Sequence, residues 1–220
     1  MTPIKMAIID YGLGNLFSIK HACEHAEMEA VITASFDQIA AADGVILPGV
    51  GAFGDAITSL SALKLDSLIK ELVQDKKPLV GVCLGMQLLF TESNEFGAHG
   101  GLDLIPGQVR RFNNPHDGDS KLKIPQIGWN RLIKKNTWDD TPLTGLIENE
   151  FMYFVHSYCC FPENEEVVLT ETNYGTEVFC SSLMQDNIFG CQFHPERSAQ
   201  AGLKIYENIR NWIERGINHS

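Results

Sequence analysis

Pro78-Leu79-Val80-Gly81-Val82-Cys83-Leu84-Gly85-Met86-Gln87-Leu88-Leu89-Phe90 is the stretch from which the fold is read. Leu79 to Val82 is a short apolar run, the pattern of a strand buried on both faces. From Leu84 the pattern predicts a helix, so the chain must turn abruptly at Cys83. Gly81 and Gly85 stand two residues either side of the cysteine. A sharp strand-to-helix turn crowds its neighbours, and residues without a Cβ relieve that crowding. Such a turn, a nucleophile elbow, lifts one side chain above the sheet edge. It also points the first free N–H groups of the helix, and its positive end, at whatever binds there. A lone cysteine is ordinarily a small buried hydrophobe. Here the helix end favours the thiolate, and Cys83 reads as a nucleophile.

Upstream, Met6 to Asp10, Ala30 to Thr33 and Gly44 to Leu47 read as strands, with a helix from about Leu16 to Glu27. Gly12-Leu13-Gly14-Asn15 begins like a dinucleotide fingerprint, but Phe17 occupies the third glycine position, so the segment reads as a glycine-rich turn. His21 and His25 share a helix face while Cys23 points elsewhere, which reads as a solvated face and not a metal site. The third strand runs into Pro48-Gly49-Val50-Gly51-Ala52-Phe53-Gly54. Its glycines leave backbone N–H groups open, as an anion-binding concavity requires, although no phosphate-loop pattern is present. An amphipathic helix carrying Leu65, Leu68, Ile69, Leu72 and Val73 then leads to the elbow strand. This alternation implies a parallel sheet with helices on both faces.

Downstream the character changes. Gly97 to Ser120 is rich in Gly, Pro, Asn and Asp, with a strand expected at Gln108 to Phe112. Ile124 to Asn130, Phe151 to Tyr158, Val167 to Thr172, Val178 to Met184 and Ile188 to Phe193 read as strands without long helices between them, so antiparallel pairing is expected. Ala201, Ile205, Ile209, Trp212 and Ile213 form the apolar stripe of a closing helix. With no repeats or linkers, residues 1–220 are expected to form a single domain.

The formal net charge of −11 argues against sequence-independent binding to nucleic acid. No apolar run approaches a membrane span, and no leader pattern precedes Lys5, so no membrane association is expected. Six cysteines without a C-x-x-C pair fit a reduced, cytoplasmic protein, in which the five other than Cys83 are structural.

An activated cysteine needs a base, and the base needs an orienting group. Among seven histidines His194 stands out because it ends a strand, as Cys83 does, and strand C-termini are where α/β sheets gather their sites. Pro195 biases His194 toward an extended conformation. Side chains at i and i+2 then share one side, so Glu196 reaches the imidazole. A carboxylate on one ring nitrogen leaves the other to take the thiol proton. Cys83, His194 and Glu196 thus fit the roles of nucleophile, base and orienter.

Gly81-Val82-Cys83-Leu84-Gly85-Met86-Gln87 together with Phe193-His194-Pro195-Glu196-Arg197-Ser198 resembles the class I glutamine amidotransferases. Ile9-Asp10-Tyr11-Gly12-Leu13-Gly14-Asn15, Pro48 to Phe53, Pro125-Gln126-Ile127-Gly128-Trp129-Asn130 and Tyr153 to Tyr158 narrow the resemblance to the glutaminase subunits of imidazole glycerol phosphate synthase. The resemblance spans essentially the whole chain. It implies a flavodoxin-like open, mostly parallel sheet with an antiparallel β-rich C-terminal part, and hydrolysis of the glutamine side-chain amide through a Cys83 thioester. The N–H of Leu84 and one from the Val50-Gly51 turn would hold the oxyanion. Gly49, Gln87, Glu95, His156, Ser157 and Tyr158 would contact glutamine, with Glu95 on its α-ammonium. No metal or cofactor is implied.

The family partner is a (β/α)8-barrel cyclase that consumes the ammonia, and Asn15, Trp129, Tyr153 and Arg197 would lie on its docking face. Gln126 and Arg197 depart from the usual histidine and lysine of the pattern, in segments expected near the partner. Asn15 to Ile19 also resembles paralogues that feed ammonia to an ATP-dependent nucleotide-sugar amidotransferase. A non-catalytic activator and a free-standing cysteine peptidase are the readings from other classes.

Overall fold

A computed structural model of the chain describes residues 3–218. Strand and helix alternate through β1 (Lys5–Ile9), α1 (Leu16–His25), β2 (Glu29–Thr33), α2 (Phe36–Ala41), β3 (Gly44–Leu47), α3 (Phe53–Ala62), α4 (Leu65–Gln74), β4 (Leu79–Val82) and α5 (Leu84–Leu88). Then come β5 (Phe90–Ser93), β6 (His99–Gly100), β7 (Ile105–Arg111), β8 (His116–Asp117), β9 (Ser120–Lys121), β10 (Gln126–Arg131), β11 (Ile133–Lys134), β12 (Phe151–His156) and β13 (Tyr158–Pro162). The chain closes with β14 (Val168–Tyr174), β15 (Glu177–Gln185), β16 (Ile188–Cys191), a single 3-10 turn at Pro195–Arg197, and α6 (Ala199–Asn218).

Strands β2, β1, β3, β4 and β16 lie side by side and parallel. From β16 outward the sheet turns antiparallel through β15, β13 and β7, and β5 returns parallel to β7. Every residue of β3, β4 and β16 is buried, as a strand covered on both faces requires, whereas edge strand β2 keeps two exposed positions. Ile19 and Cys23 of α1 meet Ile205, Ile209 and Ile213 of α6 on one face of the sheet. Phe53, Leu60, Leu65, Ile69, Leu72 and Met86 cover the other. Each such side chain, fully buried, contributes about 1.5–3 kcal/mol.

The topology brings the C-terminal ends of β3, β4 and β16 to one edge, in register Leu47 beside Gly81 and Val82 beside Cys191. β10 and β12 pair as a separate two-stranded ribbon. It is tied to the turn after β16 by the Tyr153 carbonyl, which accepts from the His194 N–H at 2.9 Å.

Three features depart from the sequence reading. The helix carrying Leu65 to Val73 is present as α4, but α3, parted from it at Lys64 with φ 58°, is an addition. The elbow helix ends at Leu88, and Phe90 already belongs to a strand. α2 was not expected at all. Among the described residues no helix is long and apolar enough to cross a membrane.

Candidate active site

Cys83 sits at φ 55°, ψ −110°, a conformation unusual for a residue with a Cβ and of the kind that collects at functional turns. Both flanking glycines are sterically required. A Cβ on Gly81 would lie 2.9 Å from the Met86 Cα, and one on Gly85 would lie 1.8 Å from the Leu47 carbonyl oxygen. The elbow therefore packs directly on the end of β3, where the Pro48–Gly51 turn begins. The Cys83 N–H donates to the Cys191 carbonyl at 2.8 Å, which locks the elbow to β16.

Three residues beyond β16, His194 Nδ1 lies 2.7 Å from Glu196 Oε1, and the two side chains are 6% and 1% exposed. The carboxylate only accepts, so Nδ1 carries the proton and Nε2 is the nitrogen available for chemistry. Nε2 has no hydrogen-bond partner among the described residues, and the group that acts on it most strongly is the Cys83 sulfur. Burial pulls the imidazole pKa down, but the nearby Cys83 sulfur and then Glu196 outweigh it and push it up to about 10. The imidazole is thus held in its protonated form beside the Cys83 sulfur. Ser198 braces this turn: its hydroxyl donates to the His194 carbonyl at 2.6 Å and accepts from the Tyr153 N–H at 3.0 Å.

Cys83 opens into a cavity of about 280 Å³. Val50, Gly51, Leu84, Gln87, Glu95, His156, Ser157 and Tyr158 line it with Pro125 and Val155. Of the residues expected to contact substrate, Gly49 alone lies behind the wall, where a Cβ would meet the Tyr11 hydroxyl at 2.4 Å and Leu84 at 2.9 Å. Leu84 opens α5, so its N–H has no carbonyl within the helix, and the residue lines the cavity together with Val50 and Gly51.

The polar groups of the cavity are held in fixed orientations. Glu95 Oε2 accepts from the Phe53 N–H at 2.7 Å, and burial pushes its pKa up from the ordinary carboxylate range. Gln87 Nε2 donates to the Tyr158 carbonyl and to Gln192 Oε1, both at 3.0 Å, which leaves its Oε1 to face a ligand. His156 Nδ1 donates to the Tyr158 carbonyl at 2.9 Å. Burial drives its pKa down to about 4 against that bond, and His194 adds to the depression, so the ring is neutral.

Two residues of the neighbourhood escaped the sequence reading. Gln192, fully buried, bridges Gln87 and Cys83, and Ser198 braces His194. Gln192 precedes His194 by two in an extended segment, the one sequence signal that both face the same side. Gln126, in the segment expected near a partner, is itself 3% exposed and lies across the ribbon from His156.

Trp129, Tyr153 and Arg197 do come together on the surface beside the His194 turn. The Arg197 guanidinium stacks over Tyr153 at 4.4 Å, and Trp129 meets the same ring edge-on at 6.1 Å. Asn15 is exposed at the start of α1, which packs against that turn. All six cysteines are free and buried. Cys159, Cys160 and Cys191 are held well above the ordinary thiol range by burial, so they lack the features that set Cys83 apart. Among the described residues no cluster of three or more His, Cys, Asp or Glu is placed to hold a metal.

A mostly parallel half-sheet with an elbow cysteine, a histidine–carboxylate pair and a small polar cavity at its edge is an arrangement suited to a thiol-dependent hydrolase. The family model "Glutamine amidotransferase class-I" matches residues 7–210, and the chain belongs to that family. Imidazole glycerol phosphate synthase subunit HisH of Aquifex aeolicus is 45% identical over 213 residues, covering 96% of this chain and 99% of the relative. The protein of the same name from Chlorobaculum tepidum is 41% identical over 202 residues, covering 92% and 97%. The solved structure of PurLQS from Thermotoga maritima shares the fold with a TM-score of 0.72, at 19% identity over 96% of this chain and 99% of that one.

Proposed function

We propose that this chain is the glutaminase subunit of an imidazole glycerol phosphate synthase, and that it hydrolyses the side-chain amide of glutamine and passes the ammonia to a cyclase subunit in histidine biosynthesis. The observation that carries the reading is the buried His194–Glu196 pair at 2.7 Å set against the elbow cysteine at the mouth of a small polar cavity.

Cys83 thiolate attacks the carboxamide carbon, and the C=O electrons move onto oxygen. The N–H of Leu84 and one from the Val50–Gly51 turn stabilise that oxyanion; in a dry site the loss of one such donor costs about 3 kcal/mol of barrier lowering. His194 Nε2 protonates the leaving nitrogen, the C–N bond breaks, and ammonia departs from a glutamyl thioester. The now neutral imidazole takes a proton from water, hydroxide adds to the thioester, and the C–S bond breaks to give glutamate and thiolate. Glu196 holds the ring in one tautomer and stabilises the imidazolium throughout. Glu95 is suited to the substrate α-ammonium, and Gln87 Oε1 to an N–H donor on glutamine.

Free ammonia protonates and dilutes in water, so the product is useful only if handed directly to an acceptor. The exposed group of Trp129, Tyr153 and Arg197 beside the His194 turn has the aromatic and arginine composition of an interface anchor. We assign the cyclase, a (β/α)8 barrel, to that face, with residues 1–220 acting as one unit in the cytoplasm. The test is glutamate release from glutamine by the chain alone, with a cyclase subunit, and with cyclase plus its nucleotide substrate. Release that climbs across the three arms supports the proposal. No response with a cyclase competent on free ammonia would overturn the partner assignment.

A further inference from the structure

We propose that Gln192 is a further catalytic residue, whose carboxamide donates a hydrogen bond to the Cys83 thiolate. This rests on the reading of Cys83 as nucleophile but not on the identity of substrate or partner.

A glutamine amide can present either its oxygen or its nitrogen, and the two ends are told apart only by the groups they meet. Here the chain of contacts has one solution. The Tyr158 backbone carbonyl can only accept, so Gln87 must present Nε2 to it at 3.0 Å. The same Nε2 then donates to Gln192 at 3.0 Å, so Gln192 must present Oε1 there. That leaves Gln192 Nε2 directed at Cys83 Sγ, at 3.7 Å, within reach of a large sulfur acceptor. The donor is fixed by a backbone atom three groups away and is not free to rotate into an acceptor.

Gln192 is fully buried, so water does not compete for its N–H. A donor of this kind favours the charged form of its acceptor. The other groups around the sulfur act differently. His194 supplies positive charge from the turn after β16, with Glu196 behind it. Tyr11 after β1, Cys160 on β13 and Cys191 on β16 are held neutral by burial and by the sulfur, so they bring no second charge to it. Gln192 is the neutral side-chain donor directed at the sulfur. Because Tyr158 also lines the cavity, the relay Tyr158–Gln87–Gln192 joins the substrate wall to the nucleophile.

The test is the pH dependence of Cys83 alkylation by iodoacetamide, read by mass spectrometry of the Cys83 peptide, in the full chain and in Gln192→Met. Methionine keeps the volume and loses the donor. The variant is expected to alkylate about tenfold more slowly at pH 7, the low end for a hydrogen bond to a charged group, with its half-maximal rate at higher pH. Gln87→Met, which frees Gln192 to rotate, is expected to shift the profile the same way by less. An unchanged profile in a folded Gln192→Met protein would overturn the assignment. If that variant does not fold, Gln192→Asn decides: it keeps the amide but draws it off the sulfur, and a wild-type profile would refute the role. Alkylation needs neither glutamine nor cyclase, so its outcome stands apart from that of the glutaminase assay.

Discussion

Gly85→Ala is expected to damage both stability and catalysis, and the geometry sets the size of the effect. The added Cβ would lie 1.8 Å from the Leu47 oxygen and 2.7 Å from its carbonyl carbon, both backbone atoms. Leu47 is the last residue of buried β3, so no side chain can swing aside and the segments must part by about 1.5 Å to restore contact distance. Overpacking of this kind costs about 1–3 kcal/mol, which at about 2 kcal/mol per molar of urea lowers the unfolding midpoint by about 1 M. The same parting separates the Leu84 N–H from the Val50–Gly51 turn, and a misplacement of about 1 Å at reacting groups costs about 100-fold in kcat. Urea titration by circular dichroism and glutamate release in the assembled enzyme measure the two. Gly100→Ala is the control, because its Cβ would meet nothing within 4 Å. Wild-type midpoint and wild-type turnover in Gly85→Ala would refute the claim that the elbow is wedged against β3.

Glu196→Gln removes the charge from His194 while keeping its shape. The stability that His194 draws from its raised pKa is fully present below about 6.5 and lost as pH rises through about 10; in the variant the alkaline loss begins at lower pH, measured by thermal melts across the range. His156 works in the opposite sense. Its pKa, depressed to about 4, contributes stability present above about 6.5 and lost as pH falls toward 4, so His156→Phe is expected to flatten the acid limb of the same melts. Glu95→Gln, which takes the carboxylate from the cavity wall, is expected to raise KM for glutamine about tenfold or more with a smaller effect on kcat, read from steady-state kinetics. Trp129, 52% exposed, is expected to matter to the partner and not to the fold: Trp129→Ala weakens cyclase binding by about 2 kcal/mol, roughly 30-fold in titration calorimetry, with an unchanged melting temperature.

The elements legible from sequence were those whose pattern is local. β3, β4 and the start of α5 agree with the reading to the residue because buried strands are apolar at every position and the elbow glycines mark the turn. α3 was illegible because its buried face is only Phe53, Ala56 and Leu60, too few large apolar residues to show a period. α2 is only six residues long, too short for periodicity to rise above its surroundings. At the site, His194 and Glu196 were legible because they are two residues apart in one segment. The Gln87–Gln192 and Cys83–Gln192 contacts join residues 105 and 109 positions apart, and no spacing announces such a pair. In the segment expected near the partner, Ile127 and Trp129 are exposed, and alternation turns Gln126 inward, across the ribbon from His156.

The most direct test of the account is glutamate release by the assembled enzyme with Cys83→Ser set beside the wild type, each reaction quenched and the residue-83 peptide weighed. The account predicts a glutamyl adduct on Cys83 in the wild type, and no adduct and no glutamate above background from the serine variant. Glutamate release by Cys83→Ser at the wild-type rate would contradict it.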